Sequence, residues 1–135
     1  MIDINELNRL TKNTLVAHLG IVFTAVENGC IRATMPVDHR TQQPQQRLHG
    51  GASMALAESL GGAGSMSLID NTKFTVLGID INGSHVGYTT ENEVIAEARI
   101  LFQGKSTHVW DIRISDKHKQ LISVCRLTNR IIPLK

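Results

Sequence analysis

One stretch limits the possible folds of this chain more than any other. Residues 51–69 (GASMALAESLGGAGSMSLI) have the length of a helix and consist almost wholly of small and apolar residues. A helix that is apolar on nearly every face is a buried helix. Gly61, Gly62 and Gly64 each weaken it by about 1 kcal/mol relative to alanine, so close packing against that surface is the expected compensation. Beyond Asp70-Asn71 the pattern changes to strand-type alternation. Leu77, Ile79 and Ile81 alternate with Gly78, Asp80 and Asn82; Val94, Ala96, Ala98, Ile100 and Phe102 alternate with polar partners; Trp110, Ile112 and Ile114 alternate with Asp111, Arg113 and Ser115. Residues 120–132 make a last strand. One-sided alternation suits an antiparallel sheet with one covered face, and the buried helix is its natural cover, which predicts an α+β domain.

Ahead of that helix, residues 3–17 carry apolar positions at helical spacing (Ile4, Leu7, Leu10, Leu15, Val16), with Asp3 or Asn5 available as a cap. Two short strand-type runs, IVFTAV and CIRATMPV, flank Glu27-Asn28-Gly29, whose Asn-Gly pair signals a hairpin turn. Residues 38–49 form a polar loop interrupted by Pro44. There is no internal repeat or linker, so one domain is expected over residues 1–135.

Several functional classes are disfavoured by composition. The net charge is only +2 and the basic residues are scattered, which argues against a nucleic-acid partner. No run approaches the roughly 18 apolar residues of a membrane span. The segment MIDINELNRLTKNT lacks the basic start and apolar run of a secretion signal. Cys30 and Cys125 have no metal-type spacing and read as buried free thiols in a reducing, cytoplasmic setting. His18, His39, His108 and His118 show no ligand spacing, so neither a metal nor a cofactor is expected.

The chemistry concentrates at Glu58, the one ionisable residue after His49 in QRLHGGASMALAESLGGAGS. A carboxylate in apolar surroundings must be paired, or else it works as a general base or nucleophile. Structural pairing with Arg99 or Arg126 is the simpler alternative. His49-Gly50-Gly51 adds a second element: glycines entering a helix leave N–H groups at its positive end, suited to a developing oxyanion. Gly50 and Glu58 are eight residues apart, about 12 Å along one helix, so they cannot flank one carbonyl carbon from the same chain. If both serve one reaction, Glu58 comes from a second copy packed across a twofold axis.

The segments RATMPVDHRTQQP, LHGGASMALAES, VLGIDINGSHV and HVWDIRI resemble acyl-CoA thioesterases of the hotdog fold, in the branch of 4-hydroxybenzoyl-CoA-type and 1,4-dihydroxy-2-naphthoyl-CoA-type enzymes. The resemblance runs from about residue 15 to 130 and implies an antiparallel sheet wrapped around one long helix, assembled as a homodimer with shared sites and often as a homotetramer. It implies that Glu58 is the catalytic carboxylate, as base for water or as nucleophile. The Gly50 N–H would polarise the thioester oxygen, Gln43 would contact the carbonyl or the water, and His49 would orient the thioester. CoA would lie along His85-Val86-Gly87-Tyr88 and Gly104-Lys105-Ser106-Thr107, with Gly78 and Ser59 also at the ligand. The implied substrate is an aromatic acyl-CoA, with dihydroxynaphthoyl-CoA the first candidate. Two departures stand out. Gly62 occupies the position, one turn beyond Glu58, where these enzymes carry Ser or Thr. Gln45-Gln46-Arg47 and Gly87 replace an aromatic-Gly pair and an arginine. The alternative reading is a catalytically weak acyl-CoA-binding module.

Overall fold

The computed structural model describes residues 2–135. Two short helices, α1 (Ile4–Leu10) and α2 (Leu15–His18), precede strands β1 (Val22–Glu27) and β2 (Cys30–Pro36). The long helix α3 (Gly50–Met66) follows, then β3 (Phe74–His85), β4 (Glu93–Gln103), β5 (Thr107–Ser115) and β6 (Leu121–Pro133). The six strands form one antiparallel sheet in the order β1-β2-β4-β5-β6-β3. Leu56, Ala57 and Leu60 of α3 are fully buried on Ala96, Ala98, Trp110, Ile112 and Leu127 of the sheet core. This is the helix-in-sheet arrangement the alternation implies.

Glycine sets how closely α3 approaches. A methyl group at Gly64 would stand 2.6 Å from Cη2 of Trp110, and one at Gly61 would run into Leu127. The two glycines therefore trade helix propensity for contact, as expected from the sequence. Gly62 differs, because a methyl there would meet nothing within 4 Å. Nor is α3 covered on every side within one chain. Glu58 is exposed, and Met54, Ala55, Ser59, Gly62 and Met66 are only partly covered, leaving an open stripe beside β3.

Three further expectations change. The helix predicted over 3–17 is two helices, since Asn13 takes a left-handed φ of 62° and Thr14 starts α2 afresh. Asp3 does cap α1, accepting from Glu6 N at 2.8 Å, and the Asn8 side chain ties α1 to both backbone groups of Phe23. The alternation in β3 is broken by a bulge between Gly78 and Asp80. An extra residue reverses the facing of all that follow. Hence Leu77 and Ile79 do not share the helix-facing side with Ile81; they are 51% and 54% exposed. A second bulge between Ile100 and Phe102 turns Phe102 out of the core in the same way. The Asn28-Gly29 turn is as expected, with Gly29 at φ 78°.

Gly64→Ala should lower stability by about 1–3 kcal/mol, because the methyl cannot fit against a buried indole. Gly62→Ala, on the same helix but against open space, should be neutral or stabilising by up to about 1 kcal/mol. Urea unfolding of the two variants checks the contrast; equal losses would contradict this account of α3.

Candidate active site

Glu58 lies in a cleft of about 430 Å³ between the open stripe of α3 and the edge strand β3, lined by Leu15, Met54, Ala55, Ser59, Gly62, Met66, Val76 and Gly78. The walls are mainly apolar and the carboxylate is their one charged group. The enclosed carboxylate expected from the sequence is thus, in one chain, a carboxylate at an open cleft. Neither Arg99 nor Arg126 pairs with it: Arg99 bonds Glu97 at 2.7 Å, and no salt bridge involves Glu58 among the described residues. Its Oε2 faces Gly78, where a methyl group would stand 3.1 Å away.

The other predicted residues gather around the N-terminus of α3. The polar loop that delivers this end is held by the Thr41 hydroxyl, which donates to Pro36 O at 2.7 Å, and by Arg40, whose donors hold the Asp38 carboxyl down at about 2. His49 is the N-cap, its Nδ1 accepting from Gly51 N at 2.7 Å. The N–H groups of Ala52 and Ser53 go to His49 O. Gly50 N has no hydrogen-bond partner among the described residues, so one backbone donor stays available where the helix dipole is positive. His85 closes on this point. Its Nδ1 bonds Ser123 Oγ at 2.8 Å, and its Nε2 would be 2.7 Å from a methyl at Gly50. Leu48, Gly50, Ser53, His85, Gly87, Tyr88, Ile122 and Ser123 enclose a second, smaller pocket of about 100 Å³. At its mouth the Arg47 guanidinium sits 4.3 Å from the centroid of the exposed Tyr88 ring. A side chain at Gly87 would run into the backbone carbonyl of Leu121, which accounts for the glycine there. Val86 is exposed, with its N–H bonded to Ile122 O. Gln43 accepts from Gln45 N through its Oε1, so its carboxamide is folded onto its own loop.

Gly104-Lys105-Ser106-Thr107 is the β4–β5 turn, closed by Gly104 N on Thr107 O at 2.8 Å. Ser106 O accepts from Ile131 N, and Thr107 pairs with Arg130, which pairs in turn with Leu77. The turn therefore stands at the Gly78 end of the sheet. One chain holds two half-collections: Glu58, Ser59, Gly78 and the 104–107 turn at one end, and Gln43, His49, Gly50 and residues 85–88 at the other.

A buried polar cluster behind Glu58 was missed by sequence reasoning. Ser65 aligns with Glu58 on a helical wheel, yet its hydroxyl turns into the sheet rather than toward the cleft, and is fully buried. It accepts from Trp110 Nε1 at 2.8 Å and from Asn129 Nδ2 at 3.0 Å. With both lone pairs used, its own proton goes to His108 Nδ1, 2.8 Å away, which fixes His108 as the neutral Nε2–H tautomer. Burial pushes the His108 pKa below its ordinary 6.5. The only early signal was compositional: a histidine and an asparagine at core-facing strand positions.

With this geometry established, comparison with known proteins is decisive. A family model described as the thioesterase superfamily matches residues 45–123. The chain belongs to the thioesterase superfamily. It is 39% identical over 126 residues to the proofreading thioesterase EntH of Klebsiella pneumoniae subsp. pneumoniae, spanning 93% of this chain and 91% of that one. A crystal structure of a mutant thioesterase PA1618 from Pseudomonas aeruginosa matches with TM-score 0.95 at 40% identity, covering 99% of this chain and 96% of that chain. Thioesterase HI1161 from Haemophilus influenzae matches with TM-score 0.94 at 40% identity, covering 99% and 93%. The protein is a hotdog-fold thioester hydrolase. Among the described residues no His, Cys, Asp and Glu group of three or more could hold a metal.

The state of His108 makes a prediction for this thioesterase. Below pH 6.5 the unfolded chain takes up a proton at His108 that the folded chain resists, so the stability from this group is full above pH 6.5 and is lost as the pH falls. The melting temperature of the wild type should decline from pH 7 to pH 5 more steeply than that of His108→Gln. Parallel declines in thermal scans would show that His108 does not carry the effect.

Proposed function

We propose that this thioesterase hydrolyses an aromatic acyl-CoA ester, with 1,4-dihydroxy-2-naphthoyl-CoA as the first candidate, at a site shared between two copies of the chain. One observation carries the reading: the same helix offers an unpaired N–H at Gly50 and a carboxylate in an apolar cleft at Glu58, two stations too far apart to act on one carbonyl. A second copy running antiparallel supplies the missing half. The outer edge of β3 is free for that copy, since β3 ends the sheet and is twelve residues long. A long edge with exposed Leu77 and Ile79 is a pairing surface. Antiparallel pairing of β3 with its twofold mate carries the Gly78 end of one chain toward the His85 end of the other. A further pairing into a tetramer, and a cytoplasmic location, belong to the same reading.

In the shared site the thioester carbonyl points at Gly50 N–H, a donor worth ~3 kcal/mol to a developing oxyanion. Glu58 either removes a proton from water or attacks the carbonyl itself. His49, capped through Nδ1, keeps Nε2 free to orient the ester, and Gln43, whose Nε2 donates to Gln45 Oε1 at 3.5 Å, keeps one amide proton for the carbonyl or the water. The acyl group takes the cleft beside Met54, Met66 and Val76, where the missing side chain at Gly62 adds room. CoA extends over His85, Val86, Gly87 and Tyr88 from one chain and over Gly104, Lys105, Ser106 and Thr107 from the other, where Lys105 can meet a phosphate.

The test is thiol release from a panel of aromatic and aliphatic acyl-CoAs. The wild type should turn over aromatic esters fastest. Glu58→Ala should lose about 10²–10⁴-fold in kcat while still binding the ester in calorimetry. Turnover by Glu58→Ala at the wild-type rate would remove Glu58 from the chemistry, and a preference for aliphatic esters would overturn the substrate class.

A further inference from the structure

The cleft that holds Glu58 is a trough with two long sides. The open stripe of α3 forms one side and the edge strand β3 the other, and together they supply every wall residue but one. The exception is Leu15, which enters from α2. Two elements lying side by side leave a trough open at its ends. A single residue from a third element is what closes one of them.

The core gives no other reason for Leu15. It is 62% exposed and stands outside the hydrophobic cluster, whereas its neighbour Val16 packs against that cluster and Leu19 is buried. Leu15 and Leu19 are four residues apart and share a face of the helical turn. The apolar stripe that buries Leu19 therefore runs on past the edge of the core and over the cleft. The backbone beneath Leu15 is held at both ends. Asn13, at φ 62°, ends the direction of α1, so that α2 starts afresh at Thr14. On the other side Leu19 N bonds Leu15 O at 3.0 Å, and Ile21 N bonds Val16 O at 3.1 Å, which ties α2 to a buried residue at the entry to β1.

Space lies beyond Leu15. The same side chain lines a second, open hollow of about 740 Å³, whose other walls are Asn13, Thr14, Ala17 and His18. Among the described residues Leu15 is the one shared by the cleft and this hollow. It is a partition, with a mainly apolar cleft on one side and exposed, largely polar walls on the other.

We propose that Leu15 is a specificity-determining residue of this thioesterase, limiting the length of the acyl group by closing the acyl cleft against the hollow over α2. The inference rests on the assignment of the Glu58 cleft to the acyl group made above, and names the residue that bounds it. An acyl group that ends short of Leu15 buries its apolar surface against Met54, Met66 and Val76. A longer one must displace Leu15 or pass into walls that carry an amide, a hydroxyl and an imidazole. Gly62 gives the cleft width, and Leu15 limits its length.

The experiment measures kcat/KM on two pairs of esters, benzoyl-CoA with 4-butylbenzoyl-CoA and butanoyl-CoA with decanoyl-CoA. The proteins are wild type, Leu15→Ala, Leu15→Phe, Leu10→Ala and Glu58→Ala. The readout is the long-to-short ratio within a pair, since a loss of folding or of chemistry lowers both members alike. The straight-chain pair keeps that readout independent of the aromatic class. Leu15→Ala joins the cleft to the hollow and should raise the ratio by about 10-fold or more, one methylene being worth about 10–200-fold to a hydrophobic pocket. Leu15→Phe should lower it. Leu10→Ala removes another exposed leucine, one that lines no part of the cleft, and should keep the wild-type ratio. Melting temperatures of both Leu15 variants should stay near that of wild type, because the side chain is exposed. Wild-type ratios in both Leu15 variants, alongside an inactive Glu58→Ala, overturn the partition and leave the Glu58 assignment standing. An equal shift in Leu10→Ala overturns it too, because the effect would then follow surface apolarity in general. Full activity in Glu58→Ala would instead sink the underlying assignment.

Discussion

The seating of α3 on the sheet is the contact on which the rest of the molecule depends. Gly64 meets the Trp110 ring and Gly61 meets Leu127, so the helix backbone lies against side chains that an alanine would hold off. That approach lets Ser65 reach His108, Trp110 and Asn129 at hydrogen-bond distance across two strands. It also fixes the height of Glu58 above Gly78 and of Gly50 beside His85. Moving α3 outward by one methyl group would disturb the core and both half-sites at once.

The distribution of chemistry along α3 follows from helix physics. Its N-terminus offers an unpaired donor in a positive field, where an oxyanion is stabilised. Two turns further on, its open face offers a carboxylate among apolar walls, where an acyl group can bind and a base can act. One helix cannot bring both to a single carbon, and the long free edge of β3 lies on the side where a second copy would complete the set. On this account catalysis and assembly are one requirement. In the proposed dimer, the exposure of Glu58, Leu77 and Ile79 in a single chain has one origin, the absence of the second copy.

Much of this is legible in the residues. The small-residue helix, in its place though not in its complete burial, the hairpin at Asn28-Gly29 and the alternation along β5 depend on local periodicity and turn chemistry, and these stand as read. Gly50 and Glu58 stand out in the sequence as a candidate pair because a glycine turn and a lone charge both conflict with their surroundings. What escaped reading is non-local. The bulges at Ile79 and Leu101 reverse the facing of β3 and β4 without any turn residue to announce them at the second site. Asn13 divides the first helix through a left-handed conformation that asparagine tolerates but does not demand. The Ser65–His108–Trp110–Asn129 cluster joins residues 43 to 64 positions apart, and only the folded sheet makes them neighbours. Ser65 shows the limit most clearly, since helical spacing aligns it with Glu58 while the sheet claims its hydroxyl.

Subunit complementation tests the central claim most directly. Glu58→Ala lacks the carboxylate; Gly50→Pro lacks the N–H at the first helical position, and its ring also presses on His85, a residue of the same half-site, so each variant disables one half only. Each protein alone should be inactive. After subunit exchange, a mixed dimer has one site with both defects and one with neither, so activity should return to about a quarter of the wild-type level in an equal mixture. Absence of any recovery in a mixture shown by mass to contain mixed dimers would mean that each chain carries a complete site, and the shared-site account would be wrong.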